Sequence, residues 1–193
     1  VEAMPPAQPI TPMAPETPAI EHPLEMPPTA EALPPLDQSD AMFLTAISPV
    51  LGESGLAALL PEDLIRRIVV TVDNLPGQKL PAKLLPLKPV PEAFITTGEG
   101  ESRFIGALNA ARYAAYVQLA RAVNPDKLVS VYAQFYPLFQ RAYEDLGYPK
   151  AYFNDRLVTA IDDLLATPEV EEPIRVVQPK IFFQFADADL VER

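Results

Sequence analysis

From Asn124 to Leu165 the sequence carries an apolar pattern that a pair of packed helices can bury, and this stretch constrains the fold more than any other. Asn124-Pro125-Asp126 reads as a helix start: the Asn side chain can cap free amides, proline suits the first helical position, and Asp complements the positive end. Leu128, Val131, Tyr132, Phe135, Tyr136, Phe139, Ala142, Tyr143 and Leu146 then recur at steps of three and four, which makes one wide stripe. Pro137 removes a backbone donor inside that pattern, so a kink or short break is predicted there. Gly147 can take the left-handed conformation that ends a helix, and Pro149 cannot continue one. A second helix is predicted from near Asn154 to before Pro168, with Phe153, Leu157, Val158, Ile161, Leu164 and Leu165 on its buried side. So short a turn places the two helices antiparallel.

The flanks differ in composition. Of the 24 prolines, eleven fall between Val1 and Pro35, a region with no Lys, Arg, Phe, Tyr or Trp. Such an arm, Val1 to Leu36, favours the extended polyproline conformation and cannot bury enough apolar surface to collapse; fully extended it reaches about 110 Å. Ten acidic and no basic residues precede Arg66, whereas sixteen acidic and fifteen basic residues follow from there. The net charge of -11 therefore belongs to the amino-terminal part, and no basic surface argues for nucleic acid.

The globular part is expected to run from residue 37 to residue 193. Asp37, Ser39 and Asp40 are capping residues ahead of Met42, Phe43, Ile47, Val50 and Leu51; Gly52 stops this helix, and a short helical piece follows at Gly55 to Leu59. Pro61 opens another, with Leu64, Ile65, Ile68, Val69 and Val72 on one side and opposite charges four apart at Glu62/Arg66 and Asp63/Arg67. Its run from Ile68 to Val72 would also suit a strand. Leu80 to Pro91 holds four prolines and reads as an extended crossing with its leucines tucked inward. Phe94 to Thr96 and Arg103 to Ile105 flank a glycine-containing turn, which predicts a hairpin. Asn109 is expected to cap a helix to about Val123 with Tyr113, Tyr116, Val117 and Ala120 inward. Ile174 to Val177 and Lys180 to Phe185 are β-prone. The fold class expected is mainly α: one helical domain with a kinked long helix and minor short β, behind a proline-rich extended arm.

Few chemistries survive this inventory. The absence of cysteine excludes disulfides, thiolate metal sites and cysteine nucleophiles, and the single histidine, His22, lies in the arm. Phosphate-loop and dinucleotide patterns are missing, so no cofactor is expected. No apolar run reaches the length of a bilayer span, and an anchor upstream of Val1 is expected instead. Two constellations remain. Glu144, Asp145, Asp155, Asp162 and Asp163 could gather where the two central helices face each other, as a carboxylate-based hydrolase or a cation site requires, although charged residues most often mark a solvated helix face. All seven tyrosines lie between Tyr113 and Tyr152; Tyr113, Tyr116, Tyr132, Tyr136 and Tyr143 could line a groove for a proline-rich peptide, including the chain's own arm in cis or in another copy.

Seven strings carry a resemblance: Leu64 to Leu75, Leu85 to Pro89, Tyr136 to Phe139, Leu146 to Pro149, Tyr152 to Leu157, Leu165 to Pro168 and Phe185 to Asp187. Together they resemble the proteobacterial domain-of-unknown-function family numbered three thousand and fourteen, over about Pro34 to the end. The resemblance implies an amino-terminal membrane segment and a proline-rich stretch ahead of the domain; it implies no activity, cofactor or catalytic residue. The function expected is a non-catalytic, membrane-tethered domain on the periplasmic side of the bacterial inner membrane that binds a protein or peptidoglycan partner. The alternative is the carboxylate hydrolase or cation-binding protein.

Overall fold

The computed structural model describes residues 19–25, 32–77 and 80–191. The expectations for the rest of the arm, residues 1–18 and 26–31, lie outside the described residues. The chain is mainly helical, with short strands at its edges.

After a single 3-10 turn at Leu36–Gln38, helix α1 spans Asp40–Ala58. It is two helices in one: Gly52 sits at φ 65° and ψ -178°, a conformation that only glycine adopts freely, so the predicted stop and short second piece both appear. Among the described residues α1 is the one helix long and apolar enough, by length and composition, to cross a membrane, which revises the expectation that no such run exists. Phe43 and Ile47 nevertheless lie in the core, and Gly52 interrupts the helix. Asp40 does not cap its own helix. Its carboxylate accepts from the amides of Asp63 (2.8 Å) and Leu64 (2.9 Å), and so caps the next one.

Helix α2, Leu64–Asn74, settles the helix-or-strand ambiguity in favour of helix and buries Leu64, Ile65, Val69 and Val72. The two intrahelical charge pairs predicted for it do not form. Arg66 reaches Asp145 at 3.0 Å, and Arg67 donates to the carbonyls of Glu62, Lys83 and Leu85, which staples the proline-rich crossing to the helix. That crossing contains one 3-10 turn, Ala82–Leu84, and Leu80, Leu84 and Leu87 are exposed rather than tucked in. Proline leaves its backbone few ladder bonds, and the side-chain and carbonyl contacts of Arg67 and Lys88 hold it instead.

Strands β1 (Thr96–Thr97) and β2 (Phe104–Ile105) form the predicted hairpin, with Thr96 opposite Ile105. Helix α3 follows at Leu108–Ala122. Asn109 is not its cap but lies inside it, buried, where its amide exchanges hydrogen bonds with the main chain of Ile95 and donates to Gly106, pinning the hairpin to the helix. The predicted inward face is wrong for Tyr113, Val117 and Ala120, which are exposed, because α1 is the helix against which α3 packs. The two approach closely at Gly55, where a Cβ would come within 2.9 Å of Leu119.

Helix α4, Pro125–Asp145, is capped by Asn124, whose side chain accepts from the Lys127 amide. It runs without a break through Pro137, which stands on the exposed side. Helix α5, Phe153–Leu165, follows the Gly147 turn. Between α1, α2, α4 and α5 lies the core, an aromatic chain in which Phe139 touches Phe43, Tyr132 and Phe153 at centroid distances of 5.7, 5.3 and 5.9 Å. The stripe is right in phase and too long at both ends: Leu128 on α4, Leu146 just past its end, and Ile161, Leu164 and Leu165 on α5 are exposed. Strands β3 (Val176–Val177) and β4 (Gln184–Phe185) make a second hairpin, and helix α6 (Ala188–Val191) follows.

Candidate functional site

The concave feature walled by the core helices is a groove of about 370 Å³. Phe43, Ile47 and Leu51 of α1, Ile68 and Val72 of α2, Leu128, Val129 and Tyr132 of α4, and Leu157 and Ile161 of α5 are among its walls. Every lining residue is aliphatic or aromatic. The one hydroxyl among them is turned to its own partner, since Tyr132 donates to Asn154 Oδ1 at 2.9 Å. The exposed Val129 and Ile161 mark where the groove meets the surface. Such a space can exclude water and hold apolar groups; it offers nothing to orient or polarise a reacting bond.

The five candidate tyrosines do not share one groove. Tyr132 and Tyr136 are neighbours at 5.7 Å, Tyr143 stacks on Tyr148 at 4.7 Å, and Tyr113 and Tyr116 lie apart on α3, where the Tyr116 hydroxyl donates to the Lys88 carbonyl. Sequence order along two different helices is the reason: α3 packs on α1, and α4 presents its aromatic stripe to α2 and α5. Burial pushes the hydroxyls of Tyr132 and Tyr136 far above the ordinary phenol range, with the neighbouring Tyr152 adding to both, and burial raises Tyr143 as well. All three are neutral at neutral pH, and Tyr132 and Tyr136 donate to Asn154 and Gln140.

The acidic candidates are likewise scattered. Asp145 is held by Arg66 and Arg141 at 3.0 and 3.1 Å, Glu144 accepts from Gln140, and Asp155 accepts two amides of residues 21 and 22. Asp162 and Asp163 are exposed on α5. Among the described residues no three carboxylate or histidine side chains stand close enough to hold a metal ion. The convergence expected at the facing helix ends fails because Asp145 turns to the arginines of α2 and α4.

Sequence reasoning passed over three residues that organise this end of the molecule. Gln140 accepts from the Tyr136 hydroxyl and the Phe153 amide at 3.0 and 2.9 Å, and donates to the Ala151 carbonyl and Glu144. It thereby fixes the turn and caps the first amide of α5. Tyr152 and Asn154 each bond the main chain of the arm. The signal for Gln140 was a polar side chain one turn after Tyr136 on the apolar face; Tyr152 and Asn154 stand in one of the strings that carry the resemblance.

Residues 64–193 match the family described as Protein of unknown function (DUF3014). The chain belongs to the DUF3014 family. No curated protein and no solved structure matches it. The DUF3014 match starts at the first residue of α2 rather than near Pro34. It contains α2, α4 and α5, three of the four helices that wall the groove, while α1, the fourth, lies ahead of it.

Proposed function

We propose that this DUF3014 chain is a non-catalytic binding domain of the bacterial envelope, tethered to the membrane through its proline-rich arm, and that its groove receives an apolar segment of a protein partner. The observation that carries the reading is the composition of the groove: its walls are wholly apolar, and they open through Val129 and Ile161, residues that are 55% and 45% exposed. Apolar surface of that kind at a pocket mouth is a mark of interaction sites. Peptidoglycan, a polar sugar and peptide lattice, finds no hydrogen-bonding wall there, so the protein partner is favoured over it. Placement on the periplasmic side is supported by the lack of Lys and Arg before Arg66, since positive charge next to a span retains a segment in the cytoplasm.

Photo-crosslinking side chains placed at Val129 and Ile161 in cells test the groove, with exposed Leu108 on α3 as the control. A discrete protein adduct from the first two positions and not the third is expected; equal adducts from all three defeat the reading. A carboxy-terminal reporter active only in the cytoplasm defeats the location.

A further inference from the structure

Residues 19–25 of the arm lie against the start of α5 and are joined to it by four hydrogen bonds, each to main chain on the arm side. Asp155 accepts the amide of Glu21 at Oδ2 (3.2 Å) and that of His22 at Oδ1 (2.7 Å). Asn154 donates from Nδ2 to the His22 carbonyl (2.9 Å), and the Tyr152 hydroxyl accepts the Leu24 amide (3.1 Å). In an extended chain successive N–H groups point to opposite sides, so one carboxylate cannot take both. Here the chain bends at Glu21-His22. Two consecutive amides then form a small concavity of positive charge that an anion fills. Pro23 holds His22 away from the helical region, and the Leu24 side chain packs against the hydrophobic core.

We infer that Tyr152, Asn154 and Asp155 form a binding site for a bent, proline-containing peptide, and that its occupant is residues 20–24 of this chain, docked in cis. The inference goes beyond the groove and does not depend on it. Its chemistry fixes what the site reads. The side chains of Glu21 and His22 are exposed and form none of these four contacts, so the bend and the amides are recognised rather than the residues that supply them. Leu24 is recognised by shape, through its packing against the core. Docking gives the arm a fixed point well ahead of the helical domain, and covalent linkage supplies a local concentration in the millimolar range that lets so few contacts hold.

Amide hydrogen exchange on the full chain tests this. The amides of Glu21, His22 and Leu24 are expected to exchange at least about tenfold more slowly than that of Ala19, the protection expected where an amide is held in a structured contact. Asp155→Asn should remove the protection at residues 21 and 22, and Leu24→Asp should remove it at all three, while the amides of α4 stay protected. Glu21→Ala and His22→Ala should change nothing. Exchange at all three amides as fast as at Ala19, or unaltered by both disabling variants, overturns the inference. The chain has no cysteine, so Glu21→Cys with Thr159→Cys supplies the only two thiols for a short cross-linker. A link within one chain supports docking in cis, and a link found only between chains overturns that assignment.

Discussion

Helices α3 and α4 follow one another directly, both carry tyrosines, and are buried to very different extents. In α4 the residues Ala133, Phe135, Tyr136, Leu138, Phe139, Ala142 and Tyr143 are all buried; in α3 the only buried residue is Asn109. The difference does not lie in helix propensity, which favours the alanine-rich α3 over α4 with its internal Pro137, but in what each can pack against. α4 meets three helices, and α3 meets α1. A helix in a domain is stabilised by the surface it covers, and by that measure α4 is the centre of this molecule and α3 an attachment.

Breaking the α4 side of that comparison should cost most. Phe139 is 3% exposed and touches three aromatic rings from three helices, so Phe139→Ala is expected to lower stability by about 3 to 5 kcal/mol, read as a shift in the denaturation midpoint. Gln140→Leu keeps the volume but strands the Phe153 amide and the Ala151 carbonyl at the helix turn; about 2 to 3 kcal/mol should be lost. If Gln140→Leu proves neutral, water replaces the amide and the turn is looser than its four bonds suggest.

What could be read from the sequence, and what could not, follows the same division. The boundaries of α4 and α5, the Gly147 turn and the Gly52 interruption are local events, set by proline, glycine and capping chemistry, and all were legible. The ends of the stripe were not. Ile161, Leu164 and Leu165 continue the apolar period past the reach of α2, whose 11 residues cover the middle of the bundle, and no periodicity states how long the neighbour is. Nor could spacing tell that Asp40 caps α2 or that Arg66 seeks Asp145, both contacts across space. The sequence offered candidates by residue type, tyrosine and carboxylate; Tyr132 does line the apolar groove and Asp155 does meet residues 21 and 22, whereas the groove itself and the contacts of Tyr152 and Asn154 were not legible. Sequence shows composition along a line, and a groove walled by four helices has no signature there.

Tyr132, Tyr136 and Tyr143 sharpen the comparison through pH. Burial raises all three, so the folded chain holds these phenol protons more tightly than the unfolded chain does. Their contribution to stability is complete below the unfolded value near 10 and is lost as pH rises beyond it. Phenolate absorbance from these three should therefore appear only with unfolding. Ionisation of these three near 10 while the chain is still folded would mean that the α4 cluster is open to water.

Smaller effects are expected at the charged seam between α2 and α5. Arg156 meets Asp73 at 3.1 Å with both side chains partly in solvent, and Arg156→Ala should cost about 1 kcal/mol, weakening further in salt.

The smallest effect is expected on α3, and it is the one that tests the comparison from the other side. Val117 is 45% exposed, in a helix whose only buried residue is Asn109. Removing two methyl groups that water already reaches leaves no cavity, so Val117→Ala should change stability by no more than about 0.5 kcal/mol. The measurement is best made at several protein concentrations. A loss near zero at all of them keeps α3 as an attachment to α1. A larger loss that grows with concentration would mean that a second copy covers this face, because stability drawn from association scales with the population of the assembled state. The contrast between α3 and α4 would then describe the single chain alone, and the aromatic core would no longer be the only surface on which the fold depends.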